Sequence, residues 1–106
     1  MVEQKTIDEA IRRLLAAAPL GSKVILFGSY ARGDADDRSD VDFLVVEPEV
    51  RNCFAEMVRL REEIGDLLDA VDVMVASAED FDYWKDTPNT LPYLVVKEGR
   101  VHEQVA

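Results

Sequence analysis

The sequence predicts an α/β (α+β) fold, a small mixed sheet flanked by helices, and three observations carry that expectation. Three short apolar runs, at 23–27, 41–47 and 71–76, are rich in β-branched and aromatic residues and bounded by turn-forming ones. Only a turn and a polar loop separate the first two, which suits antiparallel neighbours. A long helical pattern separates the second from the third, and such a crossover is what a parallel pair requires.

Each element has its own local warrant. Thr6 and Glu9 form a capping-box pattern ahead of a helix to about Ala18. Ile7, Ala10, Ile11, Leu14, Leu15 and Ala18 fall on one face of it, and Pro19 and Gly21 end it. The first strand is Lys23–Phe27 and the second Val41–Glu47, with a short helical turn after Ser29. Pro48 is read as opening a helix to about Leu68, whose stripe of Val50, Cys53, Met57, Leu60, Ile64 and Leu67 steps by threes and fours. Cys53 on that stripe reads as a core thiol. The third strand is Val71–Ala76. Ser77 and Asp80 then cap a short helix carrying Phe81, Tyr83 and Trp84, and Thr87-Pro88-Asn89 is a turn. Alternation of Leu91, Tyr93 and Val95 would allow a strand, but Pro92 in a first turn and Gly99 as a stop favour a helix, followed by a short strand at Arg100–Glu103.

Composition narrows the function. A chain of 106 residues with 48% hydrophobic and 32% charged residues is long enough to bury a core and is read as a single domain over 1–106. No apolar stretch approaches the roughly 20 residues that span a bilayer, and the polar N-terminus carries no signal-peptide pattern. The single cysteine, Cys53, cannot form an internal disulfide and suits the cytoplasm. A net charge of −10 repels a phosphate backbone, so direct nucleic-acid binding is not expected. That charge would suit a basic protein partner, or serve solubility alone.

The informative spacing lies between the first two strands. Gly28-Ser29 follows the first strand, Tyr30-Ala31-Arg32-Gly33 comes next, and Asp40-Val41-Asp42 opens the second strand. Antiparallel pairing brings the end of one strand to the start of the other, and a parallel third strand brings Asp72 to the same edge. Gly28 lets a phosphate approach without a Cβ in the way. The amides of Ser29 and Tyr30, at a helix start, would face phosphates, helped by the Ser29 hydroxyl. Asp40, Asp42 and Asp72 together would repel one another unless a divalent cation joined them. Mg²⁺ accepts such oxygen donors along with waters and substrate phosphates, and two ions would stabilise both attacking and leaving oxygens. Asp72 could instead mark a sheet edge. The equipment suits metal-dependent nucleotidyl transfer.

At these residues the chain resembles the DNA polymerase beta-like nucleotidyltransferase superfamily, and within it the minimal nucleotidyltransferase branch that accompanies all-helical HEPN proteins. The carrying motif is Gly28-Ser29-Tyr30-Ala31-Arg32-Gly33 followed by Ser39-Asp40-Val41-Asp42. The resemblance implies Mg²⁺ at Asp40 and Asp42, with Asp72 as the third catalytic carboxylate and metal ligand. It also implies an antitoxin role: transfer of AMP from ATP to a tyrosine hydroxyl of a HEPN ribonuclease toxin, within a hetero-oligomer. Larger relatives add a helical domain for acceptor recognition, and none is present in this sequence, so the acceptor would supply part of the site.

Two nucleotide-binding candidates keep alternatives. Arg32 could stabilise the transferring phosphate or pair with Asp34, Asp36 or Asp37. Tyr30 could stack on a base or pack the turn. The acidic loop reads as solvated, and His102 as incidental. Phe81, Tyr83 and Trp84 lack the interleaved basic residues of a nucleic-acid platform. Two other functions compete with adenylylation of a partner: nucleotidyl transfer to a small-molecule hydroxyl, and stoichiometric binding to a toxin without catalysis.

Overall fold

The computed structural model describes residues 1–104. Helix α1 (Gln4–Ala17) leads into β1 (Lys23–Phe27), the one-turn α2 (Ser29–Arg32) and β2 (Val41–Glu47). Then come α3 (Cys53–Glu63), β3 (Val71–Ser77), α4 (Ala78–Trp84), α5 (Leu91–Glu98) and β4 (Arg100–Glu103). The strands form one mixed sheet in the order β3-β2-β1-β4. β1 is antiparallel to both β2 and β4, and β2 is parallel to β3 through the α3 crossover.

Side-chain alternation along the strands sorts the core into two layers. Val24, Leu26, Val41, Phe43, Val45, Val71, Val73 and Val75 face α1 and α3, where Ile7, Ala10, Ile11, Leu14, Leu60 and Ile64 cover them. Ile25, Phe27, Leu44 and Val46 face the other way, onto Val95 of α5 with Phe81 and Leu91 at its margin. This second layer is thinner, and on β3 the side chains of Asp72 and Met74 stay exposed. Among the described residues no helix is long and apolar enough to cross a membrane.

The strands, α2, the Ser77 cap and the tail helix match the sequence expectation, with β3 one residue longer. Ser77 accepts from the Asp80 amide, and Pro92 lies in the first turn of α5. Both long helices differ from it. α1 starts two residues before Thr6, because the Glu3 carbonyl accepts from the Thr6 and Ile7 amides; Thr6 is therefore inside the helix and the Thr6–Glu9 capping box is not used. Glu9 instead pairs with Arg12. The α3 crossover is much shorter than Pro48 to Leu68. The Asn52 side chain caps it by accepting from the Ala55 amide at 3.0 Å, and non-helical backbone at Ile64 ends it. Val50 and Leu67 still pack on the core, but from the flanking loops. Cys53 consequently sits in an exposed first turn rather than in the core, its thiol donating to the Val75 carbonyl.

At the far end of β2, Glu47 is buried on the α3 side at 2% exposure, and its Oε2 has no hydrogen-bond partner. Burial, then the facing Glu56 carboxylate, push its pKa up to about 8. Glu56 is held down at about 2 by Arg59, whose guanidinium it accepts from. The two facing carboxyls are thus shifted in opposite directions, burial favouring the proton on Glu47 and Arg59 favouring the charge on Glu56.

Candidate active site

Strand register builds the site. Phe27 pairs with Asp42, and Asp42 pairs with Asp72 across the parallel strands, so the end of β1 and the starts of β2 and β3 meet at one edge of the sheet. Asp42 and Asp72 share parity with Leu44, Val46 and Ala76, which puts both carboxylates on the thin, α5-covered face. The charge of Asp72 acts on Asp42 across this pair.

Gly28 closes the same edge. Its φ of 76° and ψ of −157° suit only glycine, and a Cβ there would strike Oδ2 of Asp42. The turn and the carboxylate are therefore fitted to each other. The Gly28 carbonyl accepts from the Ala31 and Arg32 amides and starts α2. The Ser29 and Tyr30 amides have no protein acceptor among the described residues.

The electrostatics favour a cation. Burial first, then the charge and hydrogen bond of Asp72 and the charge of Asp40, raise the Asp42 pKa to about 6, while Arg32 opposes the shift. A carboxylate pair under this repulsion, beside a turn that excludes a Cβ, has the donor chemistry Mg²⁺ uses when substrate phosphates and water complete its shell. The trio does not close, however. Asp40 is exposed, one residue before β2, and among the described residues no three His, Cys, Asp or Glu side chains are grouped to hold a metal ion. The structure brings together Gly28, Asp42 and Asp72, with Ser29 beside them, and leaves Asp40 at the rim.

Two candidates from the sequence are otherwise engaged. The Tyr30 ring packs against the α1-side core and its hydroxyl accepts from the Val2 amide at 3.0 Å, so the side chain braces the N-terminus rather than lying free to stack on a base. Arg32 donates to Asp34 at 3.2 Å and to both carboxylate oxygens of Glu98 at 3.2 and 3.1 Å. Asp34 was among its expected partners. Glu98 was not foreseen, although its Oε1 also accepts from the Gly28 amide at 3.0 Å. Its only sequence signal is its place as the last residue before the Gly99 stop, which says nothing of a contact with residue 28.

Comparison with known proteins bears on the family and the fold. A family model described as a nucleotidyltransferase domain matches residues 5–97. Two Methanocaldococcus jannaschii proteins named as candidate protein adenylyltransferases are similar in part. MJ0141 is 64% identical over 28 residues, 26% of this chain and 28% of that protein. MJ0604 is 47% identical over 47 residues, 43% of this chain and 47% of that protein. Each match thus spans less than half of the relative. Among solved structures, a candidate nucleotidyltransferase from Sulfolobus solfataricus aligns with a TM-score of 0.53 and 29% identity, covering 77% of this chain and 73% of that one. A toxin–antitoxin structure with AMP-PNP aligns at 0.64 and 21% identity over 97% of this chain and 75% of its own. A mutant toxin–antitoxin pair, MntA–HpeT, aligns at 0.59 and 20% identity over 99% and 75%. The last two are similar to this chain in fold.

Proposed function

The chain belongs to the nucleotidyltransferase domain family, and from that membership we propose that it is a Mg²⁺-dependent adenylyltransferase antitoxin. It transfers AMP from ATP to a hydroxyl, a tyrosine's, on a HEPN-type ribonuclease toxin and so neutralises it. It acts in the cytoplasm as a single domain within a hetero-oligomer. The carrying observation is the Asp42–Asp72 pair set against a turn in which only glycine fits. The structural neighbours with toxin–antitoxin pairs, one with AMP-PNP and one with a tyrosine-to-alanine mutation, support the nucleotide and the class of partner.

In this reading Asp42 and Asp72 would hold the metal, with Asp40 joining from the rim, and the metal would neutralise phosphate charge at the reacting centre. The Ser29 and Tyr30 amides and the Ser29 hydroxyl hold the phosphates. The acceptor oxygen attacks the α-phosphorus, the bond to pyrophosphate breaks, and Asp72 takes the proton from the attacking hydroxyl. The chain's contribution is positioning and charge neutralisation. The acceptor must be held about 3–3.5 Å from phosphorus. The partner does that holding, because the site is an open sheet edge on the thinner face of the fold. A net charge of −10 speeds encounter with a basic, RNA-binding partner in a salt-dependent way.

The test is incubation with α-labelled ATP, Mg²⁺ and the co-purified partner. Label on a partner tyrosine, with loss of its ribonuclease activity, is expected. Neutralisation by Asp40→Asn as effective as by wild type would replace catalysis with stoichiometric binding.

A further inference from the structure

Glu98 places a carboxylate beside the turn that the preceding section assigns to phosphates, where an anion ought to repel the substrate. It is not a loose side chain. Its exposure is 13%, and it ends α5 against Gly99, whose amide bonds to the Val95 carbonyl at 2.7 Å. A Cβ on Gly99 would come within 2.5 Å of Ile25 Cγ2, so the end of α5 is seated directly on β1. From that seat Glu98 accepts the Gly28 amide, leaving the Ser29 and Tyr30 amides without a protein acceptor among the described residues. Arg32, 46% exposed, lies over the Glu98 carboxylate through both oxygens and is steadied from behind by Asp34.

We propose that Glu98 is a positioning residue that fixes the Gly28 turn through the Gly28 amide, and that Arg32 serves the nucleotide by neutralising Glu98 rather than by binding phosphate. This rests on the nucleotide-binding reading above. The amide bond orients the turn so that its remaining donors face the substrate, and the guanidinium cancels the charge that this orientation brings with it. A carboxylate deprived of its ion partner beside a triphosphate is an unfavourable like-charge contact, whereas a neutral acceptor in the same place is not.

That difference separates a neutraliser from a ligand. ATP binding in Mg²⁺ is measured by calorimetry for wild type, Arg32→Ala, Glu98→Gln, Glu98→Ala and the double variant Arg32→Ala/Glu98→Gln, with melting curves establishing that each is folded. Arg32→Ala should weaken binding about tenfold or more. The double variant, which keeps an amide oxygen for Gly28 and removes the orphaned charge, should return to within about threefold of wild type. Glu98→Ala, which leaves the Gly28 amide without its acceptor, should bind more weakly than Glu98→Gln. If Arg32→Ala does not fold, Arg32→Gln serves in both single and double form. A double variant as weak as Arg32→Ala makes Arg32 a direct phosphate ligand and overturns the proposal, as does an unchanged Arg32→Ala. Wild type that binds no ATP overturns the proposed function and this inference with it, whereas wild-type binding with the wrong variant pattern overturns this inference alone.

Discussion

Replacing Gly28 by alanine tests the tightest fit in the site. The backbone at φ 76° and ψ −157° lies in a region essentially closed to side-chain-bearing residues, which costs about 1–3 kcal/mol. The new Cβ also strikes Asp42 Oδ2, with Cγ at 3.2 Å and Cβ at 3.5 Å behind it. The carboxylate must then leave its rotamer, for about 0.5–1.5 kcal/mol more. Together these amount to about 1.5–4.5 kcal/mol. For a chain of 106 residues that lowers Tm by roughly 7–20 °C. Gly33 supplies the control: its φ is also positive, at 86°, but nothing lies within 4 Å of a Cβ there. Gly33→Ala should therefore cost only the backbone term of about 1–2 kcal/mol. Thermal unfolding by circular dichroism reads both, and repeating Gly28→Ala in an Asp42→Ala background isolates the contact. The excess over Gly33→Ala should shrink when Asp42 is gone. An equal Tm for the two glycine variants, or an excess undiminished without the Asp42 carboxylate, refutes the fitted turn.

Four further outcomes are expected. The Asp42 pKa is raised to about 6, so the folded state holds this proton more tightly than the unfolded chain. Stability from this group is full below the ordinary carboxylate range and is lost as pH rises through about 6; Asp42→Asn should remove that step from denaturant midpoints measured against pH, and Mg²⁺-dependent ATP binding should vanish with it. Glu47, raised to about 8, has the same sign in a higher window. Glu47→Gln should change stability little at pH 5 and raise it by about 1–3 kcal/mol at pH 9, measured by urea unfolding at both values. In labelled-ATP transfer assays, Asp42→Asn and Asp72→Asn should each abolish most activity and the double variant should cost little more, because the carboxylates act as a unit; full activity in Asp72→Asn would mark that residue as part of the sheet edge only. Ser29→Ala should be milder, about tenfold to a hundredfold in rate, since the backbone amides remain.

The sequence alone determined the features whose causes are local. Apolar runs with strand-forming residues fixed the extents of β1 and β2 and nearly that of β3. A proline and a glycine decided α5 against the competing alternation, and the connection lengths set Gly28, Asp42 and Asp72 at one sheet edge. These readings hold because strand period, turn chemistry and connection length are properties of a few adjacent residues. The tertiary structure decided everything that depends on partners far along the chain. Thr6 and Glu9 carry a capping pattern, yet the Glu3 carbonyl starts α1 and Glu9 turns to Arg12. The heptad-like stripe from Val50 to Leu67 is helical only in its middle, because loop residues can face a core as well as helical ones can. Tyr30 meets Val2 and Glu98 meets Gly28 and Arg32 across separations of 28, 70 and 66 residues. Nothing local encodes such meetings: that of Glu98 exists only once β4 pairs with β1 and the end of α5 sits beside the Gly28 turn.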